Sequence, residues 1–367
     1  MQLYQASHQW ASRPADERFL SVTALHEATL KMRKQSRGAV VSSRSIEIQP
    51  TENDAKGLQV VGPVGNGFFP THHAFGQLAR LVNAPAGYLR GLPAPIAADA
   101  LNFGLRYDRD IQDVGLLLRQ NGSPVLAAAT GPNYGRIWNS DVAKAILEHY
   151  GDGITGDFTV PGEFGKKVPI TEQNTTLYAG DRDMFIFLAD EENRIEIPNR
   201  RDGQSGALAR GFFVWNSEVG DRTLGMASFL FDYACMNRIV WGACNFEQIT
   251  VRHTVSAPDK WIEEVTPAIQ AYANSSSAGV VKAVTDARAK RVDNIDEFLA
   301  KRFTKREAQN IVSAFQTDEG RPLGTKDGVS NLWDIATGIT AFARGIQFQD
   351  KRVELERKAG KILDMAS

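Results

Sequence analysis

The hydrophobic period changes near Pro258, and that change limits this chain's folds more than any other feature. Between Ile154 and His253 the apolar residues come in short runs: Leu177-Tyr178, Met184 to Leu188, Phe212 to Trp215 and Ile249 to Val251. Gly, Asp and Asn turns separate them. Short apolar runs bounded by turn residues are the pattern of strands. Beyond Pro258 the spacing becomes helical. Trp261, Val265, Ile269 and Tyr272 share a face, as do Leu332, Ile335, Ala336, Ile339 and Phe342, and then Leu355, Ala359, Ile362 and Leu363. Pro258 suits a first helical turn, Pro267 predicts a kink or a stop, and Thr304-Lys-Arg-Glu307 is a capping box.

The first half mixes both periods. Val22 to Lys34 predicts a helix, and Ala39-Val40-Val41 and Ile46-Glu47-Ile48 predict strands. Thr71 can cap a helix carrying Phe75, Leu78, Ala79 and Val82, and Ile96 to Leu105 can form another. Asn121-Gly122 between Val114–Leu118 and Val125–Ala129 is a strong hairpin signal. Asn139 or Ser140 is expected to cap a helix with Val142, Ile146, Leu147 and Tyr150 on one stripe. The expected class is α+β. A mixed or antiparallel sheet core with helices occupies 1–255, and a mainly helical region, 256–367, packs on that core or on a neighbouring subunit. Gly320 to Ser330 and Asn274 to Gly279 are the expected breaks.

Of the 367 residues, 43% are hydrophobic and 23% charged, which excludes a disordered or fibrous chain. Forty-two basic against 43 acidic residues leave a formal charge of -1, so any anion site must be a local patch. Two cysteines argue against a disulfide scaffold and against a cysteine zinc site. The first residues lack a basic segment followed by an apolar run, and no stretch of 18 apolar residues occurs. A soluble cytoplasmic protein without membrane contact is expected.

Most chemical motifs read as structure. Gly62-Pro-Val-Gly-Asn-Gly67 lacks the Lys-Ser or Lys-Thr of a phosphate loop and reads as a glycine turn. His72-His73 has no ligand partner at helical offset, so no metal and no cofactor is expected. Asp181-Arg-Asp183 and Asp190-Glu191-Glu192 read as solvated turns flanking the strand Met184 to Leu188. Glu163-Phe-Gly-Lys166 has the wrong spacing for a nuclease pair, and no nucleophile elbow occurs. Cys235, in an apolar context, reads as core.

Basic residues among turns and aromatic side chains are the remaining class. Tyr134, Arg136, Lys166, Lys167, Arg200, Arg201, Arg210, Lys290 and Arg291 are the candidates for a phosphate-tracking surface, with Tyr134 or Trp138 stacking on a base. In Asn216-Ser-Glu-Val-Gly220, Asn216 and Ser217 can end a strand, Glu218 can point inward, and Gly220 can turn the chain. The expected role is a structural corner; the functional alternative is a site anchored by Glu218 with Arg210 or Arg238.

Several segments together resemble a phage- and plasmid-like family carrying domain of unknown function 932. They are Pro70 to Arg80 with Ala84-Pro-Ala-Gly-Tyr-Leu89, Asn133-Tyr-Gly-Arg-Ile-Trp-Asn139, Phe213 to Gly220 with Tyr233-Ala-Cys-Met-Asn237, and Asn331 to Ala341. Arg238 departs from the usual glycine, and Ala336-Thr-Gly338 from the usual Asn-Ala. The resemblance implies a mobile-element setting and no catalytic residue. The leading expectation is a non-enzymatic protein that binds nucleic acid, single-stranded DNA above all, in replication, recombination or annealing, as a homo-oligomer. Trp333 and Phe342 are available for subunit contacts or for an intramolecular core. The alternatives are a protein-interaction or anti-defence factor, and a metal-dependent nuclease using Asp181, Asp183 and Glu218.

Overall fold

Met184, Ile186 and Leu188 belong to one apolar cluster and the intervening Phe185 and Phe187 to another, and all five are buried. Successive strand side chains point to opposite faces, so this sheet is covered on both sides. That is why its strands read as unbroken apolar runs rather than as alternating ones.

The computed structural model describes residues 13–366 apart from 53, 56, 64, 108–112, 162–167, 201–203, 233–237, 240–247, 275–277, 324–329 and 347–348. The chain begins with β1 (Arg18–Phe19), α1 (Val22–Lys34), β2 (Ser36–Ser42), β3 (Glu47–Pro50), β4 (Leu58–Gly62) and β5 (Gly65–Pro70). Helices α2 (His72–Leu81), α3 (Ala86–Gly91) and α4 (Ala94–Tyr107) precede β6 (Asp113–Asn121) and β7 (Ser123–Thr130). After α5 (Asn139–Tyr150) come β8 (Phe158–Thr159), β9 (Leu177–Ala179), β10 (Met184–Arg200) and β11 (Gln204–Asn216). Then follow β12 (Leu224–Asp232), β13 (Arg238–Ile239) and β14 (Gln248–Val251). The remainder is helical: α6 (Ala257–Lys260), a π turn (Trp261–Val265), α7 (Thr266–Ala273), α8 (Ala278–Ala289) and α9 (Ile295–Ala300). Three longer helices complete it, α10 (Lys305–Glu319), α11 (Leu332–Arg344) and α12 (Gln349–Leu363). The class is α+β.

Two sheets organise the strands. Six form a mixed sheet in the order β2-β6-β7-β5-β4-β3, with only the β5–β7 pair parallel. It carries α2, α3 and α4, and this lobe has its own apolar cluster around Leu78, Leu101 and Leu116. The second sheet runs β1-β9-β10-β11-β12-β13, with β8 on β10 and β14 on β12. One of its faces shares a cluster with α1, α5 and the helices beyond 256, so Phe212 and Leu230 pack in the same core as Ile311, Ile335 and Ile362. Helix α11 lies inside that core. A Cβ on its Gly338 would stand 3.2 Å from Phe315 Cβ, so glycine lets α10 approach. Trp333 is buried and Phe342 packs partly buried against the same cluster.

Local expectations hold where the physics is local. Thr71 accepts the Ala74 N–H, Thr304 and Glu307 form both halves of their capping box, and Gly122 takes φ 76° in the β6–β7 hairpin. Gly62 pairs with Gly65 where β4 meets β5, as the glycine turn requires. Two other expectations fare differently, and the one at Asp190 fails for a nonlocal reason. Pro267 coincides with an interruption of regular α-helix: a π turn precedes it, and it stands in the first turn of α7, where a missing N–H costs no bond. Asp190 does not flank a strand. Strand β10 continues through it to Arg200, with a register shift between Asp190 and Ile195.

Candidate functional site

The corner Asn216–Gly220 ends β11 and joins the two lobes. Asn216 Nδ2 donates to the Ile137 carbonyl and to Asn139 Oδ1, each at 2.9 Å. Ser217 Oγ donates to the Arg182 carbonyl at 2.6 Å and accepts the Asp221 N–H at 2.9 Å. The Val219 carbonyl accepts from Gln77 Nε2 at 2.7 Å, while Gln77 Oε1 accepts the Ala129 N–H at 2.9 Å. One glutamine on α2 thereby ties the corner to β7. Gly220 then turns the chain at φ 85°, and a Cβ there would meet Gln77, Thr130 and Tyr134.

Glu218 is 2% exposed. Its Oε1 accepts from the buried Arg119 of β6, and its Oε2 accepts the Asn139 backbone N–H at 3.0 Å. The described partner is therefore Arg119; Arg210 pairs with Asp190 instead, and the side chain of Arg238 lies outside the described residues. Helix α5 starts at Asn139, and no cap bond comes from Trp138, so the expected Asn139 or Ser140 cap is replaced by a carboxylate from a distant loop. An anion at a helix N-terminus satisfies free N–H groups and suits the dipole.

Beside this corner, cations and rings alternate. Tyr134 stacks on His253 at 4.9 Å, Arg136 lies over Tyr134 at 5.2 Å and over Trp138 at 5.7 Å, and Arg33 lies over Trp138 at 5.2 Å. Burial pulls the Arg136 guanidinium below its usual value, and its buried Nη1 has no hydrogen-bond partner among the described residues. Tyr134 Oη donates to the Ser217 carbonyl at 2.8 Å, and burial holds its phenol well above the usual range. Tyr134, Arg136 and Trp138 thus brace the lobe junction and do not offer the free stacking faces expected from sequence.

Of the other candidate cations, the described Arg210, Lys290 and Arg291 do not join this corner. Arg210 is buried and pairs at 3.0 Å with Asp190, directly opposite it in the β10–β11 register. It is a core ion pair rather than a surface contact. Lys290 and Arg291 are exposed at the end of α8 and border neither of the clefts described next. Lys166, Lys167, Arg201 and Cys235 lie outside the described residues, as does the side chain of Arg200.

What the lobes do enclose is a cleft of about 510 Å³ along α2, between α3 and the Arg182–Asp221 corner. Arg80, Arg90 and Arg182 line it against a single carboxylate, Asp221, together with His72, His73 and Asn83. Arg80 is exposed and pairs with no carboxylate among the described residues. Arg90 donates to the His72 carbonyl at 2.8 Å and lies over the Phe75 ring at 5.0 Å. Asp221 contacts Arg182 at 2.9 Å, Arg222 at 3.6 Å and His73 Nδ1 at 3.6 Å. Burial opposes ionisation of Asp221, but Arg182, His73 and Arg222 outweigh it and hold the carboxyl below its usual range. A second cleft of about 340 Å³ shares His72 and Arg90 and adds Phe69 and Pro70. Phe69 and Tyr88 are both exposed, Tyr88 to 66%.

Among the described residues no group of three His, Cys, Asp or Glu could hold a metal ion. Asp183 is buried between Arg13 and Arg222, and Glu218 is held by Arg119, so neither faces a shared metal with Asp181. No described helix is long and apolar enough to cross a membrane. No family model, curated protein or solved structure matches this chain.

Proposed function

We propose that this protein binds single-stranded nucleic acid, DNA first, through the paired clefts along α2, in replication, recombination or annealing of a mobile element. The observation that carries this reading is the surplus of arginine over carboxylate in the cleft, three against one, beside the exposed ring of Phe69 in the adjoining cleft. Single strands are held by that combination, with cations following phosphates and aromatic faces stacking on bases irrespective of sequence. A protomer of net charge -1 needs such a local surplus to attract a polyanion.

Fluorescence anisotropy with a labelled oligothymidine at low salt tests the reading. Binding that weakens in Arg80→Ala and in Phe69→Ala, with melting temperatures unchanged, supports it. No binding at low salt, or binding indifferent to both changes, refutes it.

A protein partner is the second reading, and α4 favours it. Phe103 and Tyr107 are each about two-thirds exposed on this helix, with ring centroids 5.0 Å apart. Retention of one protein after nuclease treatment, lost in Phe103→Ser, would favour that alternative.

A further inference from the structure

On the strand-binding reading above, we infer that the larger cleft is a terminal-phosphate pocket, which takes the phosphomonoester at a strand end in preference to the internal phosphodiesters. Charge is the first reason. A phosphomonoester carries about −1.5 to −2 at neutral pH, whereas an internal phosphodiester carries a single charge. Three arginines against Asp221 leave a surplus of two positive charges, which matches the dianion. Asp181 acts on His73 from outside the cleft lining and does not occupy it.

Preorganisation is the second reason. Arg90 is held by the His72 carbonyl and by the Phe75 ring, neither of which carries charge, so its guanidinium is fixed without being neutralised. Arg182 has its backbone pinned by Ser217 Oγ, while its counter-ion, Asp221, is shared with Arg222 and His73. Arg80 enters from α2 with no carboxylate of its own among the described residues. Guanidinium groups held in place before the ligand arrives lose little entropy on binding it, and arginine is suited to two-point contact with phosphate oxygens.

Size is the third. A cleft of about 510 Å³ lies within the range of small-ligand sites, and its neighbour with Phe69 is placed to take the adjoining base. A groove that followed many internal phosphates would instead be long and uniformly basic, unlike these two bounded clefts.

The experiment compares one short oligothymidine in three forms, with a 5′-phosphate, with a 3′-phosphate, and with hydroxyls at both ends. One phosphorylated form is expected to bind about tenfold tighter than the hydroxyl form, as one additional charge-assisted contact supplies. Arg80→Ala and Arg182→Ala should each reduce that preference, and Arg182→Lys should retain part of it. Equal affinity for all three forms overturns the end-recognition inference and leaves strand binding standing. Thymidine monophosphate that binds and is lost in Arg80→Ala, with no oligonucleotide bound in any form, retains the phosphomonoester pocket and overturns the strand reading. Absence of binding by every probe overturns both.

Discussion

Glu218 and Asn139 are 79 positions apart in sequence and meet at the start of α5, where the carboxylate takes the Asn139 N–H while Arg119 holds its other oxygen. One side chain thus serves as helix cap, ion-pair partner and inter-lobe tie. Breaking a buried pair by removing one member leaves an uncompensated charge, which costs about 3–5 kcal/mol. Glu218→Gln and Arg119→Met should each lower the urea midpoint substantially. The double change Arg119→Met with Glu218→Gln should be milder than the sum of its single changes. Strict additivity in that cycle would show that the two groups do not interact.

This corner also shows how far the sequence could be read. The strand end at Asn216, the inward Glu218 and the turn at Gly220 follow from residue type, and so do the Thr304 capping box and the Asn121-Gly122 hairpin. The partners do not. Nothing near Glu218 points to Arg119, because that contact depends on two sheets meeting. Arg210 reads as solvated beside its turn and is buried only because β11 places it opposite Asp190. The cleft was invisible for the same reason, since Arg80 and Arg90 occupy ordinary helical positions and Arg182 arrives from a distant loop. Yet stretches singled out for the family resemblance converge here, with Gln77, Tyr134, Asn139 and the 216–220 corner in direct contact.

Gly135 carries a packing constraint of its own. A Cβ there would fall on the Thr254 carbonyl oxygen, in a segment where the Gly135 N–H bonds to the His253 carbonyl at 3.1 Å. Backbone cannot yield as a side chain can, so Gly135→Ala should cost about 1–3 kcal/mol or more. Thermal melting would register it as a clear fall in Tm, and an unchanged Tm would contradict the close approach.

Tyr134 allows a finer subtraction. Tyr134→Phe keeps the stack on His253 and the Arg136 contact but removes the donor to the Ser217 carbonyl. The expected loss is about 1 kcal/mol, with the acceptor left under-satisfied. Chemical denaturation measures it directly, and a loss as large as that of Glu218→Gln would mean the hydroxyl does more than this bond.

Acid sensitivity should begin with two histidines. Burial pulls His73 below its usual value, opposed by Asp221, the Val219 carbonyl and Asp181 and assisted by Arg182. Burial does the same to His253, opposed by the Gly135 and Arg222 carbonyls and assisted by Arg136. The unfolded chain therefore binds more protons than the folded one once pH falls below about 6.5. Their contribution is intact above that value and is lost as pH falls through the folded values. Asp334, held up by burial, slopes the other way, so substitution must isolate the histidines. Urea midpoints should fall between about pH 7 and about pH 5, and His73→Gln and His253→Gln should each flatten that fall. A fall of undiminished steepness in both variants would assign it to other groups.

Salt gives the sharpest test of the cleft. Each phosphate neutralised on a single strand contributes about 0.7 to the slope of log affinity against log salt. If Arg80 and Arg182 share the one terminal phosphate, Arg80→Ala with Arg182→Ala should reduce that slope by about 0.7. Stability should barely change, because Arg80 is exposed and the half-exposed Arg182–Asp221 pair is worth at most about 1 kcal/mol. The exposed cations Lys290 and Arg291 supply the control, since they border neither cleft and their replacement by alanine should leave the slope as it was. The reverse pattern, with the slope falling in the Lys290 and Arg291 variants and holding in the cleft variants, would move the strand from α2 to the helical face at the end of α8.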